Sequence, residues 1–157
     1  MLVFGWGNPS RGDDALGPLL IERLAAAAES HPEWGAVEFL TDFQLQVEDA
    51  LELAGRSRVL FVDASARADG EGGGRGFAVS PLAPGRDSSF TSHALSPEAV
   101  MQVYVDLNGE APPPCHLLAI AGESFELGQD LSEAAARNLD GAVAWTVEWL
   151  AGGAGSA

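Results

Sequence analysis

The sequence has only one cysteine, Cys115, so the chain can form neither an internal disulfide nor a zinc site made of several thiolates. It is also short of positive charge, because 8 Lys and Arg against 23 Asp and Glu leave a formal net charge of −15 at pH 7. Such a surface repels phosphate backbones and anionic lipids, so we expect neither a nucleic acid nor a membrane as a partner. It favours cationic ligands or a basic partner segment, although strong acidity can equally reflect the host's proteome.

Long hydrophobic runs are missing as well. No apolar stretch approaches the ~20 residues that a membrane-spanning helix needs, and the first residues lack the basic segment of a secretion signal. We therefore expect a cytoplasmic protein. The 157 residues, 46% of them hydrophobic, suit a single domain, which we expect over residues 1–151, followed by a flexible tail of small residues at 152–157.

Segments with strand character alternate along the chain with segments of helical periodicity. Strands are predicted at residues 2–6, 37–40, 58–62, 77–80 and 115–121, and helices at residues 14–29, 45–53, 96–107 and 132–150. This alternation predicts an α/β fold, a three-layer α/β/α sandwich with a mostly parallel five-stranded sheet. The connection before the strand at 77–80 is too short for a helical crossover, so that strand is the candidate for an antiparallel one.

The most informative segment is residues 4–17, where a buried strand ends in a glycine turn that is followed by two acids and a helix. Asp13 alone could be explained as a residue that caps the helix or complements the dipole of its first turn. Two adjacent carboxylates, Asp13 and Asp14, need a further explanation, because each raises the energetic cost of the other's charge. A cation shared with other ligands would relieve that cost.

Two more polar side chains are expected at the same edge of the sheet. Asp63 directly follows an apolar strand, and His93 shortly precedes a predicted helix. The carboxyl ends of parallel strands lie at one edge, where α/β proteins bind their ligands. Asp14, Asp63 and His93 therefore form a candidate site for a divalent metal. The alternatives are structural, since Asp63 could accept hydrogen bonds from turn amides, and a histidine such as His31 or His116 is more often structural than ligating.

Other catalytic motifs fail in this sequence. The glycine turn has Ser10 where a dinucleotide-binding fingerprint needs its third glycine, and the sequence has neither a phosphate-binding Gly-Lys-Ser/Thr loop nor a Gly-x-Ser-x-Gly nucleophile elbow. Cys115 and His116 are adjacent in a predicted strand, so they face opposite sides of the sheet. This placement argues against a Cys-His nucleophile pair.

The chain resembles the hydrogenase maturation proteases. The resemblance covers nearly the whole chain and rests on four stretches in the family's order: Gly-x-Gly-Asn at 5–8 with Asp13-Asp14 and Gly17, Val-Asp-Ala at 62–64, Thr-Ser-His-Ala-Leu at 91–95, and Ala-Gly-Glu-Ser-Phe-Glu-Leu-Gly with Leu-Ser at 121–132. It implies a nickel-dependent endopeptidase. Such an enzyme would remove the C-terminal extension of a [NiFe] hydrogenase large-subunit precursor after nickel insertion, and so complete hydrogenase maturation.

The resemblance also implies residue roles. The family's metal-binding positions match Asp14, Asp63 and His93, the three residues chosen above from their placement, and these are also the candidate catalytic residues. Nickel would be supplied by the substrate, with other divalent metals able to substitute, and the protein is expected to be a monomer. The nucleophile stays open between a metal-polarised water and a water activated by a carboxylate base, Asp14 or Asp63. Nickel could be catalytic or only a recognition tag.

Departures from the family pattern leave the substrate group and two alternative functions open. The family often has Glu at the position of Asp14, and the turn at 41–45 reads Thr-Asp-Phe-Gln-Leu in place of a Gly-Gly-Thr-like turn that is expected to help recognise the substrate. The glycine-rich residues 69–75 are interpreted as a loose turn rather than a lid. The alternative functions are another metal-dependent peptidase or hydrolase and a nickel-binding accessory protein without catalysis.

Overall fold

The computed structural model of the chain describes residues 1–66, 75–86 and 95–152. Within them, strands and α-helices follow one another in the order expected from the sequence. The strands are β1 (Leu2–Trp6), β2 (Glu38–Asp42), β3 (Val59–Ser65), β4 (Phe77–Leu82) and β5 (Cys115–Ala121), and the α-helices are α1 (Leu16–Ala28), α2 (Pro97–Asn108) and α3 (Glu133–Leu150). Short 3-10 helices cover Gly12–Ala15, Pro32–Trp34 and Val47–Leu53.

The strands form one five-stranded sheet in the order β2-β1-β3-β5-β4. β1 pairs in parallel with β2 and β3, and β3 pairs in parallel with β5. β4 pairs antiparallel with β5 at the sheet's edge, where Pro81 is tolerated because an edge strand does not need every amide for pairing. The predicted mostly parallel sheet with one antiparallel strand is confirmed.

Helices cover both faces of the sheet and bury two apolar clusters. On one face α1 and α3 pack against the sheet, with Leu20, Leu118 and Trp149 fully buried between the layers. On the other face the 3-10 helix at Val47–Leu53 and helix α2 cover fully buried side chains such as Phe61. Burying one such large side chain contributes about 1.5–3 kcal/mol, so the two clusters supply the main driving force for folding. The predicted α/β/α sandwich is confirmed.

Several element bounds differ from the prediction for identifiable reasons. The helix predicted from residue 14 begins as the 3-10 turn Gly12–Ala15 and becomes α-helical only at Leu16. The short helix predicted at 45–53 is a 3-10 helix over Val47–Leu53. β3 extends to Ser65 rather than ending at residue 62, because β5 continues to pair with it after its pairing with β1 has ended.

Three expectations concern residues that lie largely outside the described part of the chain. These are the glycine-rich turn at 69–76, of which residues 69–74 are not described, the tail, of which residues 153–157 are not described, and His93. The assignment of residues 1–151 to one domain stays a prediction. None of the helices in the described ranges combines the length and apolar character needed to cross a membrane.

Candidate functional site

The turn between β1 and α1 is shaped by close backbone contacts that leave no room for side chains. A Cβ atom on Gly5 would lie 2.6 Å from the carbonyl oxygen of Gly17, and one on Gly17 would lie 2.6 Å from that of Trp6. Gly7 has φ of 149°, and a Cβ there would lie 2.0 Å from the carbonyl oxygen of Asp14. The glycines of the motif therefore let the start of α1 press directly onto β1, which places Asp14 at the carboxyl edge of the sheet.

Asp14 is a half-buried side chain held by the turn that precedes it. Its Oδ2 accepts a hydrogen bond of 2.7 Å from the backbone amide of Asn8, whose own Oδ1 accepts one of 2.9 Å from the amide of Ser10. Asp14 Oδ1 accepts no hydrogen bond from the residues that the structure describes. One oxygen thus orients the carboxylate and the other is available to a ligand.

Asp63 lies inside β3 rather than after it, which corrects the predicted placement. β3 pairs with β1 only as far as Val62, the residue before Asp63. Asp63 therefore has no strand partner on the β1 side, while on the other side it pairs with Ala119 of β5. Its Oδ1 accepts a 2.8 Å hydrogen bond from the amide of Ala64, within the strand. A set of turn amides therefore does not explain this carboxylate, and its second oxygen has no partner among the described residues.

The pKa of Asp63 is shifted by its burial and by the charge on Asp14. Burial raises the pKa of Asp63 from 3.8 to about 7, the amide of Ala64 opposes that shift, and repulsion from the charge on Asp14 adds to it. The two predicted carboxylates are therefore close enough to interact. A cation bound between the two carboxylates would counter the rise in the pKa of Asp63, because it favours the charged form of both side chains.

His93, the third predicted ligand, lies outside the described residues, so its role stays a prediction. Within residues 1–66, 75–86 and 95–152, no group of three His, Cys, Asp or Glu side chains is arranged to hold a metal ion. Asp14 and Asp63 thus provide two oxygen donors. Such a pair fits a hard or borderline divalent cation that brings further ligands of its own.

The role of Asp13 is one that sequence reasoning missed. Its side chain is fully buried and makes no N-cap hydrogen bond to the helix that follows. Oδ2 instead accepts hydrogen bonds from the amides of Glu123 (2.7 Å) and Ser124 (3.1 Å) and from the hydroxyl of Ser132 (2.7 Å), while Oδ1 accepts one from the amide of Ser132 (2.7 Å). Burial alone would raise the pKa of Asp13, but these hydrogen bonds outweigh it and lower the pKa.

Asp13 joins the β1–α1 turn to the loop between β5 and α3. The backbone adds to the connection, since the amide of Asp13 donates to Ser124 O (2.7 Å) and that of Gly128 donates to Ser10 O (2.7 Å). A Cβ on Gly122 would lie 2.8 Å from that of Asp13, so the loop needs glycine there. The motifs at 5–17 and 121–132 therefore form one unit, a contact between residues over 100 positions apart that no local signal reveals.

The two described histidines lie apart from the carboxylates. His31 follows α1, where its Nδ1 contacts Glu33 Oε2 at 2.7 Å and its ring stacks on Trp34 with centroids 4.4 Å apart. His116 is the second residue of β5 and so lies near the opposite end of the sheet, and its buried Nδ1 has no partner in the described residues. Neither residue supplies the third ligand.

Comparison with known proteins decides the fold. No protein-family model and no curated protein sequence matches the chain. Among solved structures it matches the [NiFe] hydrogenase maturation protease HycI from Thermococcus kodakarensis KOD1 with a TM-score of 0.70 and 23% identity, over 95% of this chain and 90% of that one. The hydrogenase maturating endopeptidase HybD from E. coli matches with a TM-score of 0.69 and 19% identity, over the same shares. The chain has the fold of the [NiFe] hydrogenase maturation proteases.

A third structure supports the same assignment. The hydrogenase 2 maturation peptidase from a Thaumarchaeota archaeon has a TM-score of 0.62 and 21% identity, over 95% of this chain and 96% of that one. The resemblance inferred from the sequence motifs is thus confirmed at the level of the fold. In this fold Asp14 lies in the turn after β1, and Asp63 lies in the neighbouring strand β3. Both residues are therefore near the carboxyl edge of the sheet.

Proposed function

We propose that the chain is an endopeptidase that removes the C-terminal extension of a [NiFe] hydrogenase large-subunit precursor after nickel has been inserted. The observation that carries this proposal is the pair Asp14 and Asp63. Each carboxylate has one oxygen held by an amide and one without a partner in the described residues, and the two interact electrostatically. The fold that presents them is shared with the hydrogenase maturation proteases.

A cation carried by the substrate explains why these two carboxylates lie together. Burial and mutual repulsion destabilise the state in which both carboxylates are charged, and a bound divalent ion would offset that effect. Carboxylate oxygens and an imidazole suit a borderline ion such as nickel, with His93 as the third protein ligand. In this proposal the nickel belongs to the precursor, so a precursor that lacks nickel lacks the group that Asp14 and Asp63 recognise.

The same carboxylates are candidates for the proton transfer that peptide hydrolysis requires. A carboxylate must be charged to act as a general base, and a cation bound beside it favours that form. Asp63, whose second oxygen has no partner among the described residues, suits that role. Asp14, held by the amide of Asn8, would then serve mainly to bind and orient the substrate's metal. We expect the enzyme to act as a monomer in the cytoplasm.

The proposal is tested by cleavage of the nickel-loaded precursor, followed by mass spectrometry of the released peptide. We expect wild type to release it, and Asp14→Ala, Asp63→Ala and His93→Ala to keep their circular dichroism spectra but lose cleavage. Asp140→Ala is the matched control, because this exposed aspartate on α3 forms an ion pair with Arg23 and no other among the described residues. No release by wild type would refute the function, and near-normal cleavage by two of the three variants would refute the site.

A further inference from the structure

A polar pocket lies where β3 and β5 end at the carboxyl edge of the sheet. It has a volume of about 480 Å³, and its lining includes Ala66 and Gly122, the residues that follow the two strands. Its polar lining side chains are those of Glu123, Arg137 and Asn138. Sites for small ligands typically have volumes of about 300–1,000 Å³. The pocket therefore has room for a small polar group or for the end of a peptide.

The pocket is close to the candidate site. Ala66 follows Asp63 by three residues, so their Cα atoms are no more than about 11 Å apart. The backbone of Glu123 is held by Asp13, the neighbour of Asp14 in the β1–α1 turn, because its amide donates a 2.7 Å hydrogen bond to Asp13 Oδ2. A substrate segment bound at Asp14 and Asp63 can therefore reach the pocket with a few residues.

Asn138 is fixed by contacts within the fold. Its Nδ2 donates a 3.0 Å hydrogen bond to the carbonyl oxygen of Ala121, which joins the start of α3 to the end of β5. A Cβ on Gly76 would lie 2.0 Å from Asn138 Oδ1, so the backbone just before β4 packs closely against the same side chain. Binding of a ligand therefore requires little further ordering of this wall.

Arg137 provides a positive charge that no described residue neutralises. The chain has no lysine, and its 8 basic residues are all arginines. Of those that the structure describes, all but Arg137 contact a carboxylate or another acceptor: Arg11, Arg23, Arg56, Arg58, Arg75 and Arg86. Arg137 forms neither an ion pair nor a hydrogen bond within the described ranges. A guanidinium binds a carboxylate through two parallel hydrogen bonds, so Arg137 is available for such a group.

Glu123 narrows the choice of ligand. Its carboxylate lines the same pocket and accepts no hydrogen bond from the described residues. Because like charges repel, it disfavours a bare anion beside Arg137. A carboxylate that belongs to a peptide brings a backbone N–H with it, and that N–H can donate to Glu123 while the carboxylate binds Arg137. The lining therefore fits a peptide carboxylate better than a free inorganic anion.

We propose that this pocket binds a carboxylate of the peptide that the enzyme removes, with Arg137 as its main contact and Glu123 as the acceptor of the adjacent N–H. The carboxylate is either the terminal one or that of an acidic side chain. The proposal rests on the proposed function, because the removed peptide begins at the bond that is cut beside Asp63. A net charge of −15 repels carboxylates from most of the surface, so the contact with Arg137 selects where the removed peptide lies.

Kinetics of precursor cleavage by Arg137→Gln test this proposal. We expect KM for the nickel-loaded precursor to rise about tenfold, equivalent to about 1.4 kcal/mol of binding, and kcat to change much less. Arg23→Gln is the matched control, because Arg23 is also an exposed arginine on a helix but pairs with Asp140 and does not line the pocket. Its KM should equal that of wild type, and both variants should keep their circular dichroism spectra.

Two kinds of altered precursor distinguish the sources of the carboxylate. In one, ligation of a synthetic extension replaces the C-terminal carboxylate by an amide. In the other, each Asp or Glu of the extension is replaced in turn by Asn or Gln. The change that removes the bound carboxylate should raise KM with wild type but add little with Arg137→Gln, because the two changes remove the same contact.

The outcomes separate this proposal from the proposed function. An unchanged KM for Arg137→Gln, an equal rise for Arg23→Gln, or effects that add fully for every altered precursor would overturn the pocket proposal while cleavage remains. The same holds if no altered precursor raises KM with wild type. Failure of wild type to cut the nickel-loaded precursor would overturn the proposed function, and the pocket proposal with it.

Discussion

Replacing Asp13 with alanine is expected to destabilise the fold strongly, although Asp13 is not a proposed ligand. The substitution removes the acceptor of three part-buried hydrogen bonds, from the amides of Glu123, Ser124 and Ser132. A hydrogen bond to a charged group contributes about 1.5–3 kcal/mol. Relaxation and water entry will recover part of the sum, so we expect a loss of about 3–5 kcal/mol. This is a large fraction of the 5–15 kcal/mol that stabilises a typical domain.

The neighbouring substitution Asp14→Ala serves as the control. It removes a single hydrogen bond, from the amide of Asn8 to a half-buried carboxylate, and should cost only about 1 kcal/mol. Urea denaturation followed by circular dichroism measures both variants, with the slope m checked for constancy. A loss below about 1 kcal/mol for Asp13→Ala, or an equal loss for both variants, would refute the cross-linking role of Asp13.

The pH dependence of stability gives a second signature for Asp13. Its pKa is lowered in the folded protein, so its charged form stabilises the fold above the unfolded pKa of about 3.9, and this contribution is lost as pH falls through the folded pKa. The stability gap between wild type and Asp13→Asn should therefore be widest near neutral pH and narrow below pH ~4. A gap that does not change with pH would contradict the role of the charge.

Two further predictions concern the proposed site. The pKa of Asp63 is raised to about 7 in the folded protein, so the charged form of Asp63 destabilises the fold. As pH rises from about 4 through 7, the wild type should therefore lose about 2–4 kcal/mol of stability relative to Asp63→Asn. Equal pH profiles of the two proteins in denaturant melts would contradict this. The isolated protein should bind nickel weakly, with a dissociation constant above about 1 μM in calorimetric titration, because the substrate supplies the remaining ligands; sub-micromolar binding would contradict that.

The sequence predicts the fold well because local patterns carry most of it. Apolar strands alternate with amphipathic helices, which is enough to indicate a parallel sheet covered on both faces. The short connection before β4 correctly indicated an antiparallel strand. Asp14 and Asp63 could be proposed as neighbours because each lies near the carboxyl end of a strand, and the charge on Asp14 contributes to the raised pKa of Asp63. Their common role stays a prediction.

The remaining features depend on contacts between distant residues, which local patterns do not encode. Asp13 has the residue type and the sequence position of a helix-capping residue, yet its hydrogen-bond donors come from the loop before α3. The end of β3 could not be predicted because Ser65 is held in the strand by pairing with Ala121.

The proposed role of Asp14 and Asp63 is tested most directly by offering the protein two forms of the same precursor, one loaded with nickel and one without it. Release of the C-terminal peptide is followed by mass for both. If the carboxylates recognise nickel held by the substrate, only the loaded precursor will be cut. Equal cleavage of the two forms would contradict nickel-gated recognition and indicate a peptidase that needs no metal from its substrate.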